Sequence, residues 1–177
     1  MPNISRIVRL NPEDTRPAFD CNDEDLNDFF LTDSCTSGSE LLSVTYLAVN
    51  EKEEALAFFS VSNDSIQREN ISGSRFKRVT KIIPREKRYS SMPAVKIGRL
   101  GTNASIQRKG VGTELLDFIK YWFTHGNKTG CRFVIVDAYN REEILEFYTR
   151  NGFDFLLTND TRESTRLMFF DLIKFKE

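Results

Sequence analysis

The chain is poor in the residues that build metal centres and cross-links. It has one histidine, His125, and three cysteines, Cys21, Cys35 and Cys131, among 177 residues. The cysteines are odd in number and widely spaced, with no C-x-x-C pair. That spacing argues against a zinc site and a disulfide framework, and it fits a reducing cytoplasm. No apolar run approaches the roughly 20 residues that a membrane helix needs, so no membrane partner is expected. The opening stretch "MPNISRIVRLNPED" lacks the apolar segment of a secretory signal. Internal repeats and low-complexity linkers are absent too.

The remaining composition is that of a globular protein, with 40% hydrophobic and 29% charged residues. Fifteen phenylalanines against one tryptophan point to an aromatic-rich core. The length suits one domain over residues 1–177. A net charge of -1 hides an asymmetry along the chain. Asn11–Asp64 holds thirteen acidic and two basic residues, a local net of -11. Gln67–Lys96 holds nine basic and two acidic residues, a local net of +7. Seven of those cations, Arg75, Lys77, Arg78, Lys81, Arg85, Lys87 and Arg88, fall close together. Such a run is either a solvated loop or a face for a polyanion.

The periodicities give an order of elements. "RIVRL" alternates as a short strand. "CNDEDLNDFFLTDS" reads as a helix capped by Asn22 or Asp23, with acids in its first turn. "LLSVTYLAVN" and "EALAFFSVSN" are two strands of a hairpin around an acidic turn. The segment from Asp64 to Met92 is ambiguous between helix and basic loop. "AVKIGRLGTN" is a strand. "GVGTELLDFIKYWF" is a helix whose Leu115, Leu116, Ile119, Trp122 and Phe123 share a face. "RFVIVDAYN" is an apolar run suited to a central strand. "NREEILEFYTRNGF" reads as a helix capped by Asn140 and stopped at Gly152. "FDFLL" and "TRLMFFDLIKF" close the chain as a hairpin. The pattern implies an α/β or mixed α+β domain with helices packed on a sheet.

The most telling stretch is "QRKGVGTELL", Gln107 to Leu116, between a strand and a helix. Backbone N–H groups converge at such a junction, and the helix start adds partial positive charge. Gly110 and Gly112 permit close approach of a ligand, and Arg108 and Lys109 add mobile charge. The result is an anion site suited to a pyrophosphate. It is not a P-loop, since G-x-x-x-x-G-K-[ST] is absent. It also departs from the dinucleotide fingerprint, because Leu115 stands at the third glycine position and "THGNKTG" holds no ribose-binding acid. A plain glycine-containing turn with incidental cations is the alternative.

Gln107-Arg108-Lys109-Gly110-Val111-Gly112 is similar to [R/Q]-x-x-G-x-[G/A], the acyl-CoA pyrophosphate loop of the GNAT acetyltransferase superfamily. Downstream, "NREEILEFYTRNGF" resembles that family's N-x-x-[A/I]-x-x-F-Y-x-x-x-G-F, with Phe147, Tyr148, Gly152 and Phe153 in register and Asn140 one place ahead of the motif's asparagine. The likeness is good over Ala94 to Phe155. It implies a GNAT-type fold: a central, mostly antiparallel, splayed sheet of about six to seven strands flanked by helices. It implies acetyl-CoA as cosubstrate, no metal, and transfer of acetyl to a primary amine. On this resemblance the strand Ile97–Thr102 binds the pantetheine arm, with Arg99, Leu100, Gly101 and Thr102 lining it. The pyrophosphate lies on Arg108 to Gly112, with Gln107, Thr113 and Asn140 completing the cofactor set. Tyr148 resembles the tyrosine that protonates the departing sulfur, and the backbone N–H near Leu100 is the oxyanion donor. As a residue alone, Tyr148 reads equally as a buried core tyrosine. A general base is less evident: His125 falls at the far end of the helix, "AVKIGRLGTN" holds no acid, and Asp137 is either a water-mediated base or a helix-entry residue.

"FDCNDEDLNDFF" further resembles the F-x-C-x-x-x-x-L-x-x-[FY] segment of the acetyltransferase toxins of bacterial toxin–antitoxin pairs. "VKIGRLGTN…RKGVGTELL" is similar to their "LGRLAV…GKGLG", with Gly101 where alanine is usual. That resemblance implies aminoacyl-tRNA as acceptor, held by the seven clustered cations, and an antitoxin partner. Against it stand a sequence pI of about 6.0 and the acids Asp23 to Asp28. A small-molecule or protein N-acetyltransferase, monomeric or homodimeric, and a non-catalytic acyl-CoA-binding or partner-binding module remain open.

Overall fold

The computed structural model describes residues 4–80, 83 and 89–176. Hydrogen bonding links seven strands in the order β1-β2-β3-β4-β5-β7-β6. The chain forms two compact units, Met1–Ser62 with Ile97–Ile119, and Asn63–Lys96 with Lys120–Glu177.

In the first unit, β1 (Arg6–Leu10) pairs antiparallel with β2 (Val44–Val49), from Arg6 opposite Val49 to Leu10 opposite Thr45. β2 pairs antiparallel with β3 (Ala55–Gln67), with a register shift between Ala48 and Val49. The acidic turn between them needs no Asn-Gly pair. The Asn50 side-chain oxygen accepts the amides of Lys52 at 2.9 Å and Glu54 at 3.0 Å, and Glu53 takes the left-handed conformation, φ 62°. The acidic helix is longer than expected and is interrupted. α1 (Glu24–Asp28) is capped by Asp23, whose carboxylate accepts the Leu26 amide at 3.1 Å. A π-helical turn over Phe29–Asp33 follows, and then α2 (Ser34–Ser39). Ser34 is buried and donates to the Phe30 carbonyl at 2.8 Å.

The core here is Phe19, Cys21, Phe30, Leu47, Val49 and Phe58. Phe58 has no exposed surface. Its ring lies 4.8 Å from Phe30 and 5.3 Å from Phe19. The strand β4 (Ser91–Thr102) brings Gly101 against this cluster. A Cβ at Gly101 would stand 2.7 Å from Phe58 Cε1 and 3.4 Å from Cys21 Sγ. Glycine at this position therefore leaves room for a large neighbour.

In the second unit, the described part of the ambiguous segment continues β3 to Gln67 and then forms α3 (Gly73–Thr80). Its Phe76 and Val79 join a core of Ile66, Ile71, Met92, Ala94, Phe133, Ile135, Leu156 and Phe169. β5 (Phe133–Tyr139) pairs antiparallel with β7 (Thr165–Asp171), and the short β6 (Asp154–Phe155) also pairs antiparallel with β7. Arg132 grips Asp171 with two bonds of 2.6 and 3.0 Å, tying the start of β5 to the end of β7.

α4 (Val111–Thr124) buries Val111, Leu115, Leu116 and Ile119, each at most 2% exposed. α5 (Glu142–Arg150) ends on Asn151, and Gly152 follows at φ 83°, the expected C-terminal glycine. Its N-terminus differs from expectation. The N-cap residue is Arg141, with no side-chain cap bond. Asn140 is instead spent on the β6–β7 connection, donating to the carbonyls of Thr161 at 3.0 Å and Glu163 at 2.8 Å.

Gly101→Ala is expected to lower unfolding free energy by about 1–3 kcal/mol through overpacking. Denaturant unfolding of Gly101→Ala, Phe58→Leu and the double variant checks this. The double variant should lose less than the two singles together; simple additivity would refute the contact.

Candidate functional site

The glycine turn lies wholly in the first unit and is clamped at both ends. At its entrance, Asn103 accepts the Ser105 amide at 3.1 Å and the Ser105 hydroxyl at 2.8 Å, capping a short 3-10 turn over Ala104–Ile106. The Asn103 backbone donates to the Leu56 carbonyl at 2.8 Å. Gln107 then uses its side-chain amide as a latch, donating to the carbonyls of Cys21 at 2.7 Å and Thr102 at 3.2 Å. At the exit, Val111 is 2% exposed and anchors the first helical turn.

Between the clamps the backbone alternates in hand. Arg108 has φ 61° and Gly110 φ 91°, whereas Lys109 stays at negative φ. Alternation of this kind folds successive N–H groups into a concavity for an anion. The concavity runs into the first turn of α4, Val111 to Thr113, whose amides have no preceding helical carbonyl. Arg108, Lys109 and Gly110 are exposed. Lys109 Nζ donates to the Ser105 carbonyl at 2.9 Å, which holds its charge at the rim. A Cβ at Gly110 would meet nothing within 4 Å, so the space over the turn is open. On the preceding strand Gly101 is buried, while Leu100 and Thr102 are half-buried. The Arg99 guanidinium lies over the Phe29 ring at 5.2 Å and 3.8 Å from Asp25.

In the second unit, Tyr148 sits on α5 at 6% exposure, edge-on to Phe147 at 5.1 Å and Phe153 at 5.3 Å. Its hydroxyl bonds to no described residue. Burial pushes its pKa well above the ordinary phenol value, so the proton stays on oxygen at neutral pH. Asn140 has its NH2 group on the loop carbonyls, leaving Oδ1 as its open polar atom. Asp137 is an ion-pair partner of Lys96 at 2.5 Å. His125 is exposed and stacks on Tyr121 at 4.1 Å, as expected for a helix-end residue.

The basic stretch is only partly visible, because Lys81, Arg85, Lys87 and Arg88 lie outside the described residues. Arg75 is a packing cation: its Nε donates to the Leu156 carbonyl at 3.2 Å, its Nη2 lies 3.7 Å from Asp154, and its side chain is 12% exposed. Lys77 and Arg78 are exposed. Sequence reasoning missed the Gln107 latch and the Lys96–Asp137 pair. The first has no local signal, since its shorter bond goes to a backbone carbonyl of a distant segment.

No family model matches the chain. Among solved structures it is similar to AtaT complexed with acetyl-methionyl-tRNAfMet, at 22% identity and TM-score 0.77, over 97% of this chain and 96% of that one. It is also similar to a tyrosine-to-phenylalanine mutant of KacT, at 24% identity and TM-score 0.75, over 96% and 95%. A third likeness is to a tyrosine-to-phenylalanine mutant of the AtaT toxin bound to the C-terminus of the antitoxin AtaR and acetyl-CoA. There the identity is 19% and the TM-score 0.72, over 96% and 94%. These values establish the fold, and it is the GNAT-type fold that the motifs implied.

The burial of Tyr148 carries a pH signature. Its folded pKa is raised, so its contribution is whole below the unfolded pKa of about 10 and is lost as pH climbs beyond it. Denaturant midpoints at about pH 8 and about pH 11 should fall less for Tyr148→Phe than for the parent chain. Parallel losses would contradict the assignment.

Proposed function

We propose that the protein transfers the acetyl group of acetyl-CoA to a primary amine. The observation that carries the reading is the clamped turn from Gln107 to Gly112, with opposite-handed residues at 108–110 and an open face over Gly110. The cofactor's pyrophosphate is held by the backbone of Arg108 to Gly112 and the amide of Thr113. Leu100, Gly101 and Thr102 run along the pantetheine arm, mostly through backbone. Gln107 serves by fixing the turn, and Asn140 by fixing the loop it bonds.

Acetyl transfer forms a bond between the amine nitrogen and the carbonyl carbon, and it breaks the bond from that carbon to sulfur. Negative charge gathers first on the carbonyl oxygen, where a backbone N–H near Leu100 receives it. It then passes to the departing sulfur, which takes the phenolic proton of Tyr148. The Tyr148 hydroxyl bonds to no described residue, which leaves its proton uncommitted.

Among possible acceptors, aminoacyl-tRNA is favoured. The likeness to AtaT, solved with acetyl-methionyl-tRNAfMet, spans nearly the whole chain. The exposed Lys77 and Arg78, with Lys81, Arg85, Lys87 and Arg88, supply charge for a nucleic-acid backbone. Arg75 contributes by positioning α3. An antitoxin partner belongs to the same reading, by likeness to AtaT bound to AtaR.

Calorimetric titration with acetyl-CoA is expected to give micromolar binding that is lost in Gly110→Glu, since a side chain at φ 91° is strained and brings negative charge to the turn. Binding that survives the change would refute the cradle. Tyr148→Phe should keep that binding and cut acetylation of a mixed aminoacyl-tRNA pool roughly 100- to 10,000-fold. Unchanged turnover would remove Tyr148 as the acid.

A further inference from the structure

One charged pair stands where a sheet is ordinarily closed. Along β5, Phe133, Val134, Ile135, Val136 and Ala138 are each at most 4% exposed. Asp137, within the same run, keeps 42% of its side chain exposed, and its partner Lys96 keeps 33%. Side chains alternate along a strand, so Phe133, Ile135, Asp137 and Tyr139 share a face. The register puts Leu167 opposite Asp137 and Thr165 opposite Tyr139. Phe76 and Val79 of α3 cover the Phe133 and Ile135 end of this face, together with Phe169 and the edge of Leu167. Asp137 and Tyr139 are not among the residues of that cluster.

The pair is also arranged asymmetrically. Lys96 Nζ takes Asp137 Oδ2 at 2.5 Å, while Oδ1 accepts no hydrogen bond from a described residue. Leu167 and the Tyr139 ring, half-buried, flank it on the same face. Arg141 lies over that ring at 5.0 Å. An exposed ion pair is worth little as a stabiliser, so stability gives no reason to keep one at a central position.

We infer that Asp137 receives the acceptor's amine, through Oδ1, and that Lys96 holds the carboxylate in place for it. This deepens the acetyltransferase reading and rests on it. Acetyl transfer needs the amine neutral, with its lone pair free. An unpaired carboxylate would favour the ammonium ion, whereas a carboxylate already neutralised by lysine accepts an N–H without that bias. Leu167 and Tyr139 beside it suit an apolar substituent on the same carbon. The ligand class is therefore an α-amine bearing an apolar side chain, as in an amino-acid ester or amide.

The test uses the full chain, labelled with nitrogen-15, and L-methioninamide as probe. An α-amine ordinarily titrates near pH 8, so spectra are taken at about pH 6.5 and about pH 8.5. The expected result is saturable shifts of the Asp137, Tyr139 and Leu167 backbone amides, with several-fold tighter binding at the higher pH. Asp137→Leu should abolish them, and Asp137→Asn, which keeps the acceptor oxygen, should weaken them only in part. Absence of shifts, equal shifts in Asp137→Leu, or tighter binding at the lower pH would each overturn the proposal. Titration of the same sample with acetyl-CoA separates the two claims. Loss of cofactor binding counts against the acetyltransferase reading, whereas the amine shifts decide the role of Asp137.

Discussion

The first unit depends on the packing of Phe58 against a strand that carries no side chain at the point of contact. Phe58 is fully buried among Phe19, Phe29 and Phe30. Gly101 is the residue that lets β4 approach it, since an added Cβ would overlap the ring. The same cluster buries Cys21, whose carbonyl takes the Gln107 amide. Core packing and the position of the glycine turn are thus one problem. A shift of the Phe19–Cys21 segment would move the acceptor that pins the turn.

That dependence explains how a turn with two positive-φ residues is kept in one conformation. A left-handed Arg108 is costly, because its Cβ crowds the following carbonyl. Bonds on both sides offset the cost: Asn103 organises the entrance, Gln107 ties the turn to two carbonyls, and Val111 is packed into the core. The turn presents amides preorganised for an anion, so little ordering remains when a ligand binds.

Much of this was legible in the chain. Alternation marked β1, an apolar β-rich run marked β2, a continuous apolar run marked β5, and helical spacing marked α4. Gly152 announced the end of α5, because only a residue tolerant of positive φ ends a helix in that way. The losses have physical reasons. β3 continues through polar Asn63 and Asp64, where exposed positions remove the apolar signal although pairing of backbone does not require it. The π-helical turn between α1 and α2 breaks the helical period that would have joined them. Asn140 has the side chain of a helix cap, but two distant carbonyls outcompete the local amides. Of the site, the turn was readable because glycines and cations are local signals. The Lys96–Asp137 pair joins residues far apart in the chain, so its meaning emerges only once the strands are assembled.

The central claim is that the turn at Gln107 to Gly112 cradles the pyrophosphate of acetyl-CoA. Amide hydrogen exchange, followed residue by residue with and without acetyl-CoA, addresses it most directly. The account predicts that exchange slows most at Gly110, Val111, Gly112 and Thr113 when the cofactor is added. Binding that leaves these four amides exchanging as before would contradict it.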